Sequence, residues 1–392
     1  MHRCDHGTPW LNIGHVVELD PSAQCASSQR HDVNIVHERT PVDSTHIKST
    51  HLDFNQFNML RLFSKSKPIA ASTFRTQPNF IPRTSYHIVR NMGNGKAGNE
   101  ELKGSKLFDV SHVTALVTGG GTGIGLMITQ ALVANGAKVY ITSRREEVLK
   151  KTDELYDSGP GQIIPLQGDV SDKADVARLY KELSEKEPKG IQLLVNNAGI
   201  ARDDNTKFST AGQPNMDDAE SISQHFLKSE EQSWADTFKT NVGSIFWMSM
   251  TFLPLLAKGK DVTPGYTSSV INVSSISGYM KGSSSGQFAY ASSKAAATHL
   301  SRMLATTFVG TKVRVNTIAP GVFPSEMTTG SSDEDNKSVI KSEMSNPAGR
   351  PGKDTDMAAT VLLLAGPGGV FYNEQVLYPD GGNTLTQPSA RA

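Results

Sequence analysis

Cysteine is nearly absent from this 392-residue chain: Cys4 and Cys25 are the two, and both lie in the N-terminal arm. Beyond them no disulfide can brace the fold and no thiol can serve as nucleophile or metal ligand. An excess of charge is missing too. Lys plus Arg and Asp plus Glu both total 39, so the net charge is zero. That excludes a general nucleic-acid binder, which neutralises phosphates with a basic surplus. No stretch approaches the roughly 18 consecutive apolar residues of a membrane span, so no membrane association is expected. What is present is a hydrophobic fraction of 37% and 34 glycines, which suits a globular chain with many tight turns.

The composition changes near residue 100. Residues 1–58 are polar, rich in histidine and without sustained helical or strand periodicity. His2, Cys4 and His6 are spaced like metal ligands, but a free terminus offers no scaffold to fix their geometry, so no metal site is expected. Residues 59–99 contain no Asp or Glu, while Arg61, Lys65, Lys67, Arg75, Arg83, Arg90 and Lys96 alternate with serines and threonines. This is the composition of an organellar transit peptide. Residues 1–105 are therefore expected to form a disordered extension. The protein would be mitochondrial if translation starts at Met59, and cytoplasmic if the basic stretch is an ordinary arm.

From residue 106 the pattern becomes regular. Short apolar runs at 113–117, 138–142, 163–166, 191–195, 269–273 and 312–316 alternate with helical spacing, as at 125–134. Such alternation predicts an α/β fold, a Rossmann-type doubly wound parallel sheet covered on both faces. One domain, 106–385, is expected, with 386–392 as a tail.

The first run leads into Thr118-Gly-Gly-Gly-Thr-Gly-Ile-Gly125. A strand, a glycine turn and a helix start make an anion site: glycine lets the backbone approach a pyrophosphate, and the helix N-terminus offers free N–H groups and a positive dipole end. The spacing through Gly119, Gly123 and Gly125 resembles the short-chain dehydrogenase/reductase family. Asn196-Asn197-Ala-Gly199, Gly168-Asp169-Val170, Pro320-Gly321 and Pro379-Asp-Gly-Gly382 follow in the order of that family's motifs. The resemblance implies a nicotinamide dinucleotide as cofactor. Its ligands would be Thr118, Gly119, Gly123, Ile124 and Gly125 at the turn, Asp169 and Val170 at the adenine, and Asn196 and Asn197 beneath the ribose. Pro320, Gly321, Val322 and Ser325 would meet the nicotinamide. At the end of the second strand, Ser143 stands where the NAD-preferring members carry an acid, and Arg144 follows. A guanidinium pairs with a 2′-phosphate that a carboxylate would repel, so NADP(H) is expected. Arg145 reads either as a second phosphate ligand or as a solvated surface residue.

Tyr290-Ala-Ser-Ser-Lys294 puts a phenol and an ammonium at i and i+4 on one helix face. A phenol of ordinary pKa is a poor acid–base group at neutral pH; a neighbouring ammonium favours the phenolate and would bring it toward working pH. The resemblance implies a tetrad of Ser275, Tyr290, Lys294 and Asn241. Ser275 would bind the substrate carbonyl oxygen, with Ser274 and Ser277 as alternatives in the same turn. Asn241 would hold a water that relays protons to Lys294. Its residue type is equally suited to capping or kinking a helix.

Residues 200–233, with Asp203-Asp204, read as a solvated insertion; residues 328–349 read as a substrate lid. Lys337 and Lys341 are candidate docking cations for a phosphate-bearing carrier. The expected activity is NADPH-dependent reduction of a small-molecule ketone to a secondary alcohol, with a 3-oxoacyl thioester among the candidates. An oxidatively running alcohol or polyol dehydrogenase and a non-catalytic dinucleotide sensor are the alternatives. By analogy with the family, apolar helix faces at Phe246–Met250 and Ala295–Ala297 imply a homodimer or homotetramer.

Overall fold

The computed structural model describes residues 98–387; the expectations for residues 1–97 and for the last residues of the tail lie outside the described residues. Seven strands form one sheet: β1 Thr114–Thr118, β2 Lys138–Thr142, β3 Gln162–Pro165, β4 Leu193–Asn196, β5 Ser269–Val273, β6 Arg314–Ile318 and β7 Val376–Leu377. Their order is β3-β2-β1-β4-β5-β6-β7, and every neighbouring pair is parallel. The central strands are buried along their whole length. That is why they read as continuous apolar runs rather than alternating ones.

The helices between them are α1 Gly123–Ala134, α2 Glu146–Tyr156, α3 Lys173–Lys186, α4 Ala219–Phe226, α5 Glu231–Phe238, α6 Ser244–Gly259, α7 Phe288–Phe308 and α8 Asp354–Ala365. Two apolar layers result. Met127, Ile128 and Leu132 of α1 join Met357, Val361 and Leu364 of α8 on one face of the sheet. Leu179 and Leu183 of α3, Met248 and Phe252 of α6, and Leu304 and Phe308 of α7 cover the other. Alternate residues of one strand feed the two layers: Ala115 and Val117 join the first and Leu116 the second. The expected doubly wound sheet is thus observed.

The differences from expectation have local causes. β4 starts at Leu193 rather than 191, because the Ile191 amide donates to the Leu255 carbonyl of α6 at 3.2 Å. β6 starts at Arg314 rather than 312, because Lys312 sits at φ +60° in a left-handed turn that no strand residue adopts. β7 has two half-buried residues and is too short to carry a periodic signal. The stretch Glu231–Gly259 is long and apolar enough by length and composition to cross a membrane. In the fold, its Met248, Phe252, Leu255 and Leu256 are fully buried against the sheet, which accounts for that composition.

Candidate active site

The carboxyl ends of β1, β2, β4, β5 and β6 open into one cleft of about 600 Å³. Gly119, Gly123 and Ile124 line it at the glycine turn, and Ser143 and Arg144 at the end of β2. Asp169, Val170 and Asn197 line it beyond β3 and β4, and Pro320, Gly321 and Ser325 beyond β6. Tyr290 and Lys294 of α7, with Ser275 after β5, form the remaining wall. The structure therefore brings together most of the sequence-predicted residues from segments spread over two hundred positions.

Thr118, Gly125, Asn196, Val322 and Asn241 do not line the cleft; they build its walls. The Thr118 hydroxyl accepts the amides of Asn197 and Ala198, both at 3.0 Å, fastening β1 to β4. A side chain at Gly125 would start 2.0 Å from the Gly119 carbonyl oxygen, so only glycine lets the turn close over the helix. Asn196 is buried in a polar chain inside the sheet, donating to Asn272 Oδ1 at 2.8 Å and to Ser249 Oγ at 3.1 Å. Its neighbour Asn197 instead holds the turn, donating to the carbonyls of Thr118 and Gly119 at 2.9 and 3.2 Å.

The cleft fits a dinucleotide. Gly119 and Gly123 stand at φ +65° and +52°, and a Cβ at Gly119 would lie 2.9 Å from Asn197 Nδ2. The N-cap of α1, Thr122, gives no side-chain hydrogen bond to the helix, so the first amides of α1 remain available to a phosphate.

Among the three candidate serines, Ser275 lines the cleft with Tyr290, and its hydroxyl accepts the Ser277 amide at 3.1 Å. Ser274 is turned into the protein, donating to the Lys294 carbonyl at 2.8 Å, and Ser277 pairs with Ser284 at 2.8 Å. Lys294 Nζ lies 5.7 Å from the Tyr290 ring centroid and donates to the Val273 carbonyl at 3.0 Å. Burial pushes its ammonium down to about 8. Burial pushes the Tyr290 phenol up, opposed by the Ser275 hydroxyl. The expected depression of the phenol by Lys294 is absent from this geometry, because desolvation acts on both groups and the ammonium is bonded elsewhere.

Asn241 sits in a π-helical turn, Lys239–Gly243, between α5 and α6. Its side chain accepts the Ile200 amide and donates to the Ile200 carbonyl, both at 2.8 Å, and donates to Ser293 Oγ of α7 at 2.9 Å. A Cβ at Gly199 would meet Asn241 Oδ1 at 3.2 Å and Lys294 Nζ at 3.3 Å, so the two side chains converge over that glycine. The kinking role and the position beside Lys294 coexist; π turns of this kind are frequent at functional sites.

Three residues escaped the sequence reading. Ser293 links Asn241 to α7 and donates to the Tyr290 carbonyl at 2.7 Å. Asp203, expected in a solvated insertion, is buried and accepts the amides of Ala289 and Tyr290 at 3.0 and 3.1 Å. Glu326, after Ser325, takes Arg145 in a bidentate pair at 3.1 and 2.7 Å. Arg145 is thus a contact to the segment after β6. Lys337, a candidate docking cation, is bonded to Gln130 and Asp354. The i+1 spacing after a recognised motif was the available signal for Glu326; nothing local marks Asp203.

The family model of the short-chain dehydrogenases matches residues 113–336. The chain belongs to the short-chain dehydrogenase/reductase family. Short-chain dehydrogenases/reductases are oxidoreductases acting on CH–OH groups with a nicotinamide dinucleotide. The chain is 39% identical over 291 residues to the short-chain dehydrogenase/reductase PhomF′ of Diaporthe leptostromiformis, covering 74% of this chain and 97% of that protein. It is 37% identical over 279 residues to the rhamnolipids biosynthesis 3-oxoacyl-[acyl-carrier-protein] reductase of Pseudomonas aeruginosa, covering 70% and 97%. The solved structure of the Pseudomonas aeruginosa RhlG/NADP active-site complex superposes with a TM-score of 0.57 at 34% identity, covering 70% of this chain and 98% of that one.

Proposed function

We propose that the chain is an NADPH-dependent carbonyl reductase that converts a ketone to a secondary alcohol through Ser275, Tyr290, Lys294 and Asn241. The observation that carries this reading is that Ser275, Tyr290 and Lys294 line the same cleft as the glycine turn. When bound there, the nicotinamide supplies the hydride that adds to the carbonyl carbon. Ser275 orients the carbonyl oxygen and stabilises its developing charge. Tyr290, kept protonated by its surroundings, donates the proton to that oxygen. Lys294, whose ammonium is brought to about 8, returns a proton to the phenolate, and Asn241 holds the water path that recharges it.

NADP(H) rather than NAD(H) is favoured by Ser143 and Arg144. No carboxylate stands at the end of β2 to repel a 2′-phosphate, and the Arg144 guanidinium has no hydrogen-bond or ion-pair partner among the described residues. The similarity to a 3-oxoacyl reductase and to an NADP complex supports both halves of the reading and puts 3-oxoacyl thioesters first in a substrate panel. Tyr290→Phe is expected to abolish ketone reduction while NADPH still binds; unchanged turnover would reject the assignment.

A homodimer or homotetramer belongs to the same proposal. Of the faces expected to pair, Met248 and Ala297 are buried in the core, while Phe246 of α6 and, elsewhere on α7, Phe288 and Met303 are 43%, 44% and 56% exposed, apolar side chains suited to a second copy. Light scattering after size exclusion measures it, and a monomer at micromolar concentration would overturn it. A fluorescent fusion beginning at Met59 decides between mitochondrion and cytoplasm.

A further inference from the structure

The catalytic-side helix α7 begins without a cap of its own. Its N-cap residue, Gln287, makes no side-chain hydrogen bond to the first turn, and the opening amides of a helix need partners. The segment leading into it is strained: Ser284, Ser285 and Gly286 stand at φ +53°, +58° and +86°, a left-handed run that two serines do not adopt freely. Both problems are met by one distant loop after β4. Asp203 Oδ1 accepts the Ala289 amide at 3.0 Å, and Oδ2 accepts the Tyr290 amide at 3.1 Å. Thr206 Oγ1 donates to the Gly286 carbonyl at 2.9 Å, and the Phe208 amide donates to the Ser285 carbonyl at 2.9 Å. The His225 ring of α4 meets the Thr206 carbonyl at 2.9 Å from behind. Asp203 is 4% exposed, so this carboxylate is a built element and not a surface side chain.

We propose that Asp203 is the positioning residue for Tyr290: its carboxylate holds the phenol-bearing turn at its depth beside Ser275, and its charge keeps the phenol protonated for donation. The proposal rests on the reading of Tyr290 as proton donor. A bare helix N-terminus favours an anion on its first turn, which would ease loss of the phenolic proton. A carboxylate bonded to the amide of Tyr290 itself cancels that pull and adds repulsion against a phenolate. The other groups facing this turn do not replace it. Lys294 Nζ lies 5.7 Å from the ring centroid and is bonded to the Val273 carbonyl, and Ser275 and Ser293 contribute neutral hydroxyls. Asn241 contributes a neutral amide from the π turn. Asp204 and Lys207 flank Asp203 with opposite charges, and Arg202 lines the cleft. Burial raises the Asp203 carboxyl, while the two amides it accepts favour its ionised form.

Phenolate difference absorbance of the full chain, wild type minus Tyr290→Phe, titrates this phenol whatever the turnover. Asp203→Asn keeps one acceptor and removes the charge. It is expected to lower the phenol titration by on the order of half a pH unit, and to cut kcat about tenfold with the NADPH dissociation constant unchanged. Asp203→Glu, which keeps the charge, is expected to restore the titration. Asp203→Ser, a neutral capping residue, serves where the asparagine variant does not fold. A phenol titration that coincides with wild type in a folded neutral variant overturns the proposal. So does failure of both neutral variants to fold, which makes Asp203 a structural cap alone. Retained turnover in Tyr290→Phe would sink the donor reading instead, and the titration would still show whether Asp203 governs the phenol.

Discussion

Lys294 shows what its proposed role demands of a single residue. Its ammonium is buried and lowered to about 8 from the ordinary 10.5, a gap that corresponds to about 3 kcal/mol. The unfolded chain keeps this proton up to about 10.5, so between about 8 and 10.5 the unfolded state holds more protons than the folded one. Stability therefore rises with pH through that window, and the burial penalty is fully present below it. Lys294→Met removes the penalty and also the hydrogen bond to the Val273 carbonyl, worth about 1 kcal/mol. The variant is expected to lose turnover yet to exceed wild type in stability at pH 7 by about 2 kcal/mol. That difference should shrink toward pH 10. Thermal melts across this range check it, and a difference that does not change with pH refutes it. The Tyr-x-x-x-Lys pair itself is legible in the chain, because residues four apart on a helix are neighbours. The cap on Tyr290 is not. Asp203 lies 86 and 87 residues from the two amides it accepts, a distance at which neither spacing nor residue type carries a signal.

Among the elements, the segment after β6 departs most from its expected form. Residues 328–349 read as a substrate lid, and the structure ties this region and the turn before it to α2 and the cofactor half of the cleft at several points. Glu326 takes Arg145 in a bidentate pair and the Ser332 hydroxyl at 2.9 Å, and the guanidinium holds its carboxyl below the usual range. The Tyr156 hydroxyl of α2 donates to the Asp335 carbonyl at 2.6 Å, and Asn336 Nδ2 donates to Thr152 Oγ1 at 3.1 Å. The turn that leads into this region packs on the glycine turn, since a Cβ at Gly123 would sit 2.9 Å from the Ser325 Cβ. Arg145 is half-exposed, so solvent screens the pair and its contribution is no more than about 1 kcal/mol. Glu326→Gln is accordingly expected to speed NADP+ dissociation by up to about fivefold, with a weaker dependence on salt than wild type. Stopped-flow displacement measures both, and a dissociation rate equal to wild type removes the latch. The motif around Ser325 is visible in the sequence because it follows a strand. Its partner Arg145 is visible only as a charge, since the contact spans 181 residues.

At the scale of the whole molecule, the two faces of the sheet do different work. The α1/α8 layer is the base under the glycine turn, and α7 of the other layer carries Tyr290 and Lys294, the proposed acid–base pair. They meet where the strand order reverses, between β1 and β4, and a doubly wound sheet opens its ligand crevice at that point. This much follows from the alternation of apolar runs and helices, which forces a parallel sheet whose loops gather at the carboxyl ends. A cofactor seated there binds only the folded state and stabilises it by mass action, by about 2.7 kcal/mol at a hundred times its dissociation constant. The preference for NADP(H) therefore has a readout that needs no substrate. At equal concentration NADP+ is expected to raise the melting temperature more than NAD+. Arg144→Ala should reduce the NADP+ shift to that of NAD+ while leaving the NAD+ shift in place, because the proposed role of the guanidinium is to pair with the 2′-phosphate. Equal shifts from the two cofactors in the wild-type chain would remove Arg144 from recognition and with it the case for NADP(H).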